Sequence, residues 1–78
     1  MEMMPTKITQ DEFKKFIEVD GYRPISWRRI PFSNHVLVYL KSPQGNVFKA
    51  TVICNTPEAQ QRVINDLRLY KSKTSMWF

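Results

Sequence analysis

His35-Val-Leu-Val-Tyr-Leu-Lys-Ser-Pro-Gln-Gly-Asn-Val-Phe-Lys-Ala-Thr-Val-Ile-Cys54 holds two runs rich in β-branched and aromatic residues, separated by the turn formers Ser42-Pro43-Gln44-Gly45-Asn46. This is the pattern of a β-hairpin. Pairing Lys41 with Val47 across the five-residue loop sets Leu40 opposite Phe48, Val38 opposite Ala50 and Val36 opposite Val52, all on one side of the ribbon. That side is predicted to be core. The other side carries His35, Leu37, Tyr39 and Lys41 against Val47, Lys49, Thr51 and Ile53, a mixed basic, aromatic and polar surface.

Before the hairpin, Tyr22-Arg-Pro-Ile-Ser-Trp-Arg-Arg-Ile-Pro31 reads as another strand, with Ile25 and Trp27 toward the core and Ser26 and Arg28 toward solvent. Its two prolines mark it as an edge. Phe32-Ser33-Asn34 then turns the chain into the hairpin, so the predicted sheet is a three-stranded antiparallel meander. Further upstream, Thr9-Gln10-Asp11-Glu12 is a capping box, with Ile8 and Phe13 as its hydrophobic staple. Phe13, Phe16 and Ile17 share one face of the short helix it opens, which Asp20-Gly21 stops. Asp11 and Glu12 suit the positive end of that helix and need no catalytic explanation.

After the hairpin, Thr56-Pro57-Glu58 starts a second helix with Thr56 as N-cap and Pro57 at the first helical position. Ala59, Val63, Ile64, Leu67 and Tyr70 form a stripe at helical spacing that would cover the core side of the hairpin. The expected fold class is α+β: a short N-terminal helix, a three-stranded antiparallel meander and a C-terminal helix packed on one sheet face. Residues 1–78 form a single small domain in this reading, with 1–7 a flexible leader, 8–70 the globular core and 71–78 a tail. A chain of 78 residues buries only about 60% of its unfolded surface, which supports one core and not two.

The only cysteine, Cys54, excludes an intrachain disulfide and fits a reducing, cytoplasmic setting. No apolar run approaches the length of a membrane span, so no membrane partner is expected. Charge is unevenly placed. Five of the seven acids stand within residues 1–20 beside three lysines, a net of −2, which leaves +7 on the rest of the chain. Between Asp20 and Glu58 there is no acid, while Arg23, Arg28, Arg29, Lys41 and Lys49 all fall there. Clustered positive charge suits an anionic partner.

The chain offers little for catalysis. His35 and Cys54 are its only imidazole and thiol, and the hairpin register points Cys54 to the core and His35 away from it. One histidine and one cysteine are too few for a zinc site, and Gly21 and Gly45 form no phosphate-cradling loop. A non-enzymatic protein without metal or cofactor is expected. The expected activity is nucleic-acid binding, to DNA or RNA, as a regulatory or accessory factor, through Arg23, Arg28, Arg29, Tyr39, Lys41 and Lys49. Cations would meet phosphates, and Tyr39, or Trp27 if it faces outward, would stack on a base. The alternative is an adaptor or inhibitor module that docks on an acidic protein through the sheet, its edge strand, or Trp77 and Phe78 in the tail. Either would act as a monomer or a homodimer.

Three strands followed by a helix, with Tyr22-Arg23, Arg28-Arg29, Gln44-Gly45 and Thr56-Pro57-Glu58-Ala59, resemble the plan of plant AP2 and phage-integrase type DNA-binding domains. That resemblance implies a sheet laid in the major groove. Pro24 stands where the pattern favours glycine, Val38 and Tyr39 where a tryptophan is usual, and the first helix has no counterpart. The order helix, three strands, helix is also similar to that of double-stranded RNA-binding domains. Glu58, Gln60 and Gln61 occupy the region where those domains carry a basic cluster.

Overall fold

The computed structural model describes residues 6–75. Its elements in chain order are β1 (Thr6–Ile8), α1 (Gln10–Glu18), β2 (Arg23–Arg29), β3 (Val36–Lys41), β4 (Val47–Val52) and α2 (Pro57–Ser75). The hairpin has the register read from its residues, with Val36 opposite Val52, Val38 opposite Ala50, Leu40 opposite Phe48 and Lys41 opposite Val47. Its loop closes on Ser42. The Ser42 N–H donates to the Asn46 carbonyl at 2.8 Å, and the Asn46 N–H donates back to the buried Ser42 hydroxyl at 3.1 Å. Gly45 supplies the left-handed backbone the turn requires, at φ 97°.

The sheet departs from the expected three-stranded antiparallel meander. It has four strands in the order β1-β4-β3-β2, and β1 runs parallel to β4. The outer edge of β4 needs a partner for its backbone groups, and Thr6–Ile8 supplies it. Ile8 comes to lie opposite Val52, buried in the core, and its carbonyl accepts from the Ile53 N–H at 2.8 Å. Thr6 and Lys7, read from sequence as part of a leader, therefore belong to the sheet. At the other end, α2 continues through Ser75 because no glycine or proline follows Pro57 to stop it. Trp77 and Phe78 lie outside the described residues.

Strand β2 is an edge, as its prolines require, but its alternation breaks at Ile25. Pro24 pairs with Leu40 and Ser26 with Tyr39, so Ile25 is an extra residue in the ladder, a β-bulge. Pro24 takes the buried core position expected of Ile25, and Ile25 is exposed. Trp27, opposite Val38, remains on the core side.

The capping box forms as read. The Glu12 N–H donates to the Thr9 hydroxyl at 3.1 Å, and the Thr9 N–H donates to the Glu12 carboxylate at 2.8 Å. Thr56 caps α2 by accepting from the Ala59 N–H at 3.0 Å. Both helices lie on the same side of the sheet: Phe13 of α1 and Val63, Ile64 and Leu67 of α2 join Val36, Val38 and Val52 in one core, and the rings of Phe13 and Tyr70 meet edge to face at 6.1 Å. Beside it, Phe16, Tyr22 and Phe48 stack in series, 5.2 and 6.0 Å between centroids. No described helix is long and apolar enough to cross a membrane.

Candidate functional site

With both helices on one side, no described element covers the other side of the sheet. Register alone decides which side chains stand there, since residues opposite one another across a ladder share a face. One row across the four strands holds Lys7, Thr51, Leu37 and Arg28. The next holds Lys49, Tyr39 and Ser26, and the third Val47, Lys41 and Arg23. Successive rows lie about 6.8 Å apart along the strands. Five cations thus share a four-stranded surface. Every acid among the described residues lies on α1, at its exit or on α2, and none lies on a strand.

Five of the six residues singled out from sequence for nucleic-acid contact are brought together here: Arg23, Arg28, Tyr39, Lys41 and Lys49. The sixth is not. Arg29 pairs with Val36, so it points to the helix side, where its Nη2 donates to Gln61 Oε1 at 2.8 Å. Trp27 is also on the helix side, 5.7 Å below the Lys71 ammonium, and offers no ring to the open face. Tyr39 does offer one, half-buried and capped by the Lys49 ammonium at 5.9 Å from its centroid. A cation poised over a tyrosine ring is worth about 0.5–1 kcal/mol at an exposed site and orients both groups.

Two open-face residues are covered although no helix reaches them. Leu37 is 8% and Thr51 7% exposed. They floor a hollow of about 430 Å³ whose rim includes Arg28, Lys49, Ile30 and Pro31, and which Arg29 also lines although its guanidinium is turned to Gln61. The site is therefore not a flat polar sheet but a shallow cup, largely apolar in its lining, with Leu37 and Thr51 at its base and cations at its edge.

At the same end, the β2–β3 turn presents a feature that composition and alternation do not expose. Phe32 is fully solvent-exposed and has φ 63°, the one non-glycine residue with positive φ among the described residues. It follows Pro31, in the position where turns of this kind ordinarily take glycine or asparagine. For a residue with a side chain, this conformation costs roughly 1–2 kcal/mol. The turn is held regardless: Ile30 N–H donates to the His35 carbonyl at 3.2 Å, and the Ser33 hydroxyl bridges the Ile30 carbonyl and the His35 N–H at 3.3 and 3.1 Å.

Two residues of this region, Lys7 in the expected leader and Phe32 in the expected turn, are not marked as functional by the sequence pattern. Lys7 had no local signal, because its place depends on a partner strand more than forty residues away. The Pro31-Phe32 pair did carry one, a large aromatic where a turn prefers small residues.

His35 and Cys54 meet through the backbone. The Cys54 N–H donates to His35 Nδ1 at 3.0 Å, which puts the imidazole proton on Nε2 and occupies the ring in bracing the strand end. The thiol itself is buried, donates to the Val52 carbonyl at 3.8 Å, and is pushed up in pKa by that burial. Among the described residues, no three His, Cys, Asp or Glu side chains stand together as a metal site would need. The chain matches no protein-family model, no curated protein and no solved structure.

Proposed function

We propose that this protein is a non-enzymatic nucleic-acid-binding factor of regulatory or accessory type, and that it binds through the open face of its sheet. One observation carries the reading: Lys7, Arg23, Arg28, Lys41 and Lys49 share a single sheet face that no described helix covers, and none of the acids among the described residues is on a strand. Such clustering gives the sheet face a positive pole. Phosphates approaching that face release their condensed counterions, which drives binding without requiring a particular sequence.

The largely apolar lining of the cup adds what a purely electrostatic patch lacks. A nucleotide is an anion joined to an apolar, planar body, and the cup pairs a cationic rim with a largely apolar lining. The test is a salt titration followed by fluorescence anisotropy with labelled DNA and RNA oligonucleotides. With four to five cations engaged, affinity for a single strand should fall about a hundredfold between 50 and 200 mM salt. Absence of binding to any strand at low salt would overturn the proposal. A pull-down that returned one acidic protein under those circumstances would favour the adaptor reading.

A further inference from the structure

The nucleic-acid reading leaves open which form of nucleic acid the face takes, and Phe32 bears on that choice. We infer that the protein selects single-stranded over duplex nucleic acid, with Phe32 stacking on an unpaired base whose neighbouring sugar-phosphate lies in the cup between Arg28 and Lys49. The inference rests on the sheet-face reading and narrows it.

Three observations converge. Phe32 gains nothing for the fold: its ring is fully exposed and makes no ring contact among the described residues, yet its backbone is held in the left-handed region. Strain maintained at an exposed aromatic by a turn that is itself well hydrogen-bonded is characteristic of a side chain presented for contact. Second, Pro31, its immediate neighbour in the chain, lines the cup, which places Phe32 beside the cup at the Arg28 end of the sheet. Third, Tyr39 lies one row along the same face with Lys49 over its ring, which gives a second aromatic on the path the chain of phosphates would take.

An aromatic ring stacks only on a base whose face is free. In a duplex those faces are occupied by neighbouring bases, and only edges and phosphates are offered. Single strands present them at no cost, and aromatic platforms set in a cationic groove are the general solution to binding them without sequence preference. On a duplex, Phe32 could engage a base face only by wedging between stacked steps, at an unstacking cost of a few kcal/mol that a single strand does not impose.

The experiment compares a labelled single strand of about 12 nucleotides, as DNA and as RNA, with its blunt duplex at one salt concentration, for the wild type and for Phe32→Ala, Phe32→Trp and Phe32→Asn. The expected results are tighter binding of the single strand, about tenfold loss with Phe32→Ala, and recovery with Phe32→Trp. The slope of affinity against salt should not change, because no cation is removed. Phe32→Asn should lose binding while its thermal midpoint stays level or rises, since asparagine tolerates the turn's backbone. Duplex binding as tight as single-strand binding, or Phe32→Ala with wild-type affinity, overturns the inference and leaves the sheet-face reading standing. Failure of every oligonucleotide to bind overturns both.

Discussion

Arg29 Nη2 donates to Gln61 Oε1 at 2.8 Å, so two arginines adjacent in sequence serve opposite sides of the sheet. Gln61 in turn donates to Asn65 Oδ1 at 3.0 Å, one turn further along α2. The pair fastens the edge strand to the helix, while Arg28 stands opposite Leu37 on the open face.

The two arginines should accordingly separate in experiment. Arg28→Ala should weaken oligonucleotide binding several-fold and reduce the salt slope by about 1, as the loss of one phosphate contact does. Arg29→Ala should leave affinity within about twofold and cost about 1 kcal/mol of stability, the net value of one solvent-exposed side-chain hydrogen bond. Anisotropy and urea denaturation on the two variants check both halves. Equal binding losses would place Arg29 in the interface after all.

Lys7 belongs to the binding face only because β1 pairs with β4. Lys7→Ala should therefore reduce affinity and salt slope about as much as Lys49→Ala. Removal of an exposed strand lysine should change stability by no more than about 0.5 kcal/mol. Unchanged binding in Lys7→Ala, with Lys49→Ala impaired, would confine the site to β2, β3 and β4.

Tyr70 ties the two helices together, its hydroxyl donating to Glu18 Oε2 at 2.6 Å while its ring meets Phe13. Burial first, and then the Glu18 carboxylate, hold the phenol well above its ordinary pKa. A phenol harder to ionise in the folded chain than in the unfolded one stabilises the fold fully below about pH 10, and that contribution declines as alkali rises past it. Tyr70→Phe keeps the ring contact and should cost about 1 kcal/mol at neutral pH. Above pH 10 the gap between wild type and variant should narrow, read from denaturation midpoints at both pH values. A gap that widened would contradict the assignment.

Gly21 links the exit of α1 to the tip of the hairpin. It has φ 81°, and a Cβ placed on it would lie 3.3 Å from the Pro43 ring. Gly21→Ala combines backbone strain with a tight contact and should destabilise by roughly 1–2 kcal/mol. Gly45→Ala, with φ 97° but open space around the added carbon, meets the strain alone and should cost less. Chemical denaturation of the pair measures the difference.

Much of this architecture can be read from local pattern. The hairpin register follows from two β-branched runs about a five-residue loop, and the start of α2 from Thr56-Pro57-Glu58, because each is specified by residues close together in sequence. The side taken by Arg29 was legible too: alternation from Trp27 carries it toward the helices, and only its charge suggested the open face. Two features resisted. A three-residue strand has no periodicity to detect, and a parallel pairing of Thr6–Ile8 with Ala50–Val52 has no connecting turn to announce it. The bulge at Ile25 likewise left no mark beyond the neighbouring proline, since an extra residue changes which side chain is buried without changing composition.

The short parallel strand also bears on how the protein assembles. Its ladder joins segments separated by most of the chain, and only three residues hold it. Loop closure on that scale is slow to reward, so β1 should seat after the hairpin and α2 have consolidated, and detach before they open. Amide exchange at Ile53, whose N–H is held by Ile8, would then report a breathing motion of lower free energy than global unfolding. Lys7 would come and go with that motion, which makes the number of phosphates the face can grip a quantity that varies with time.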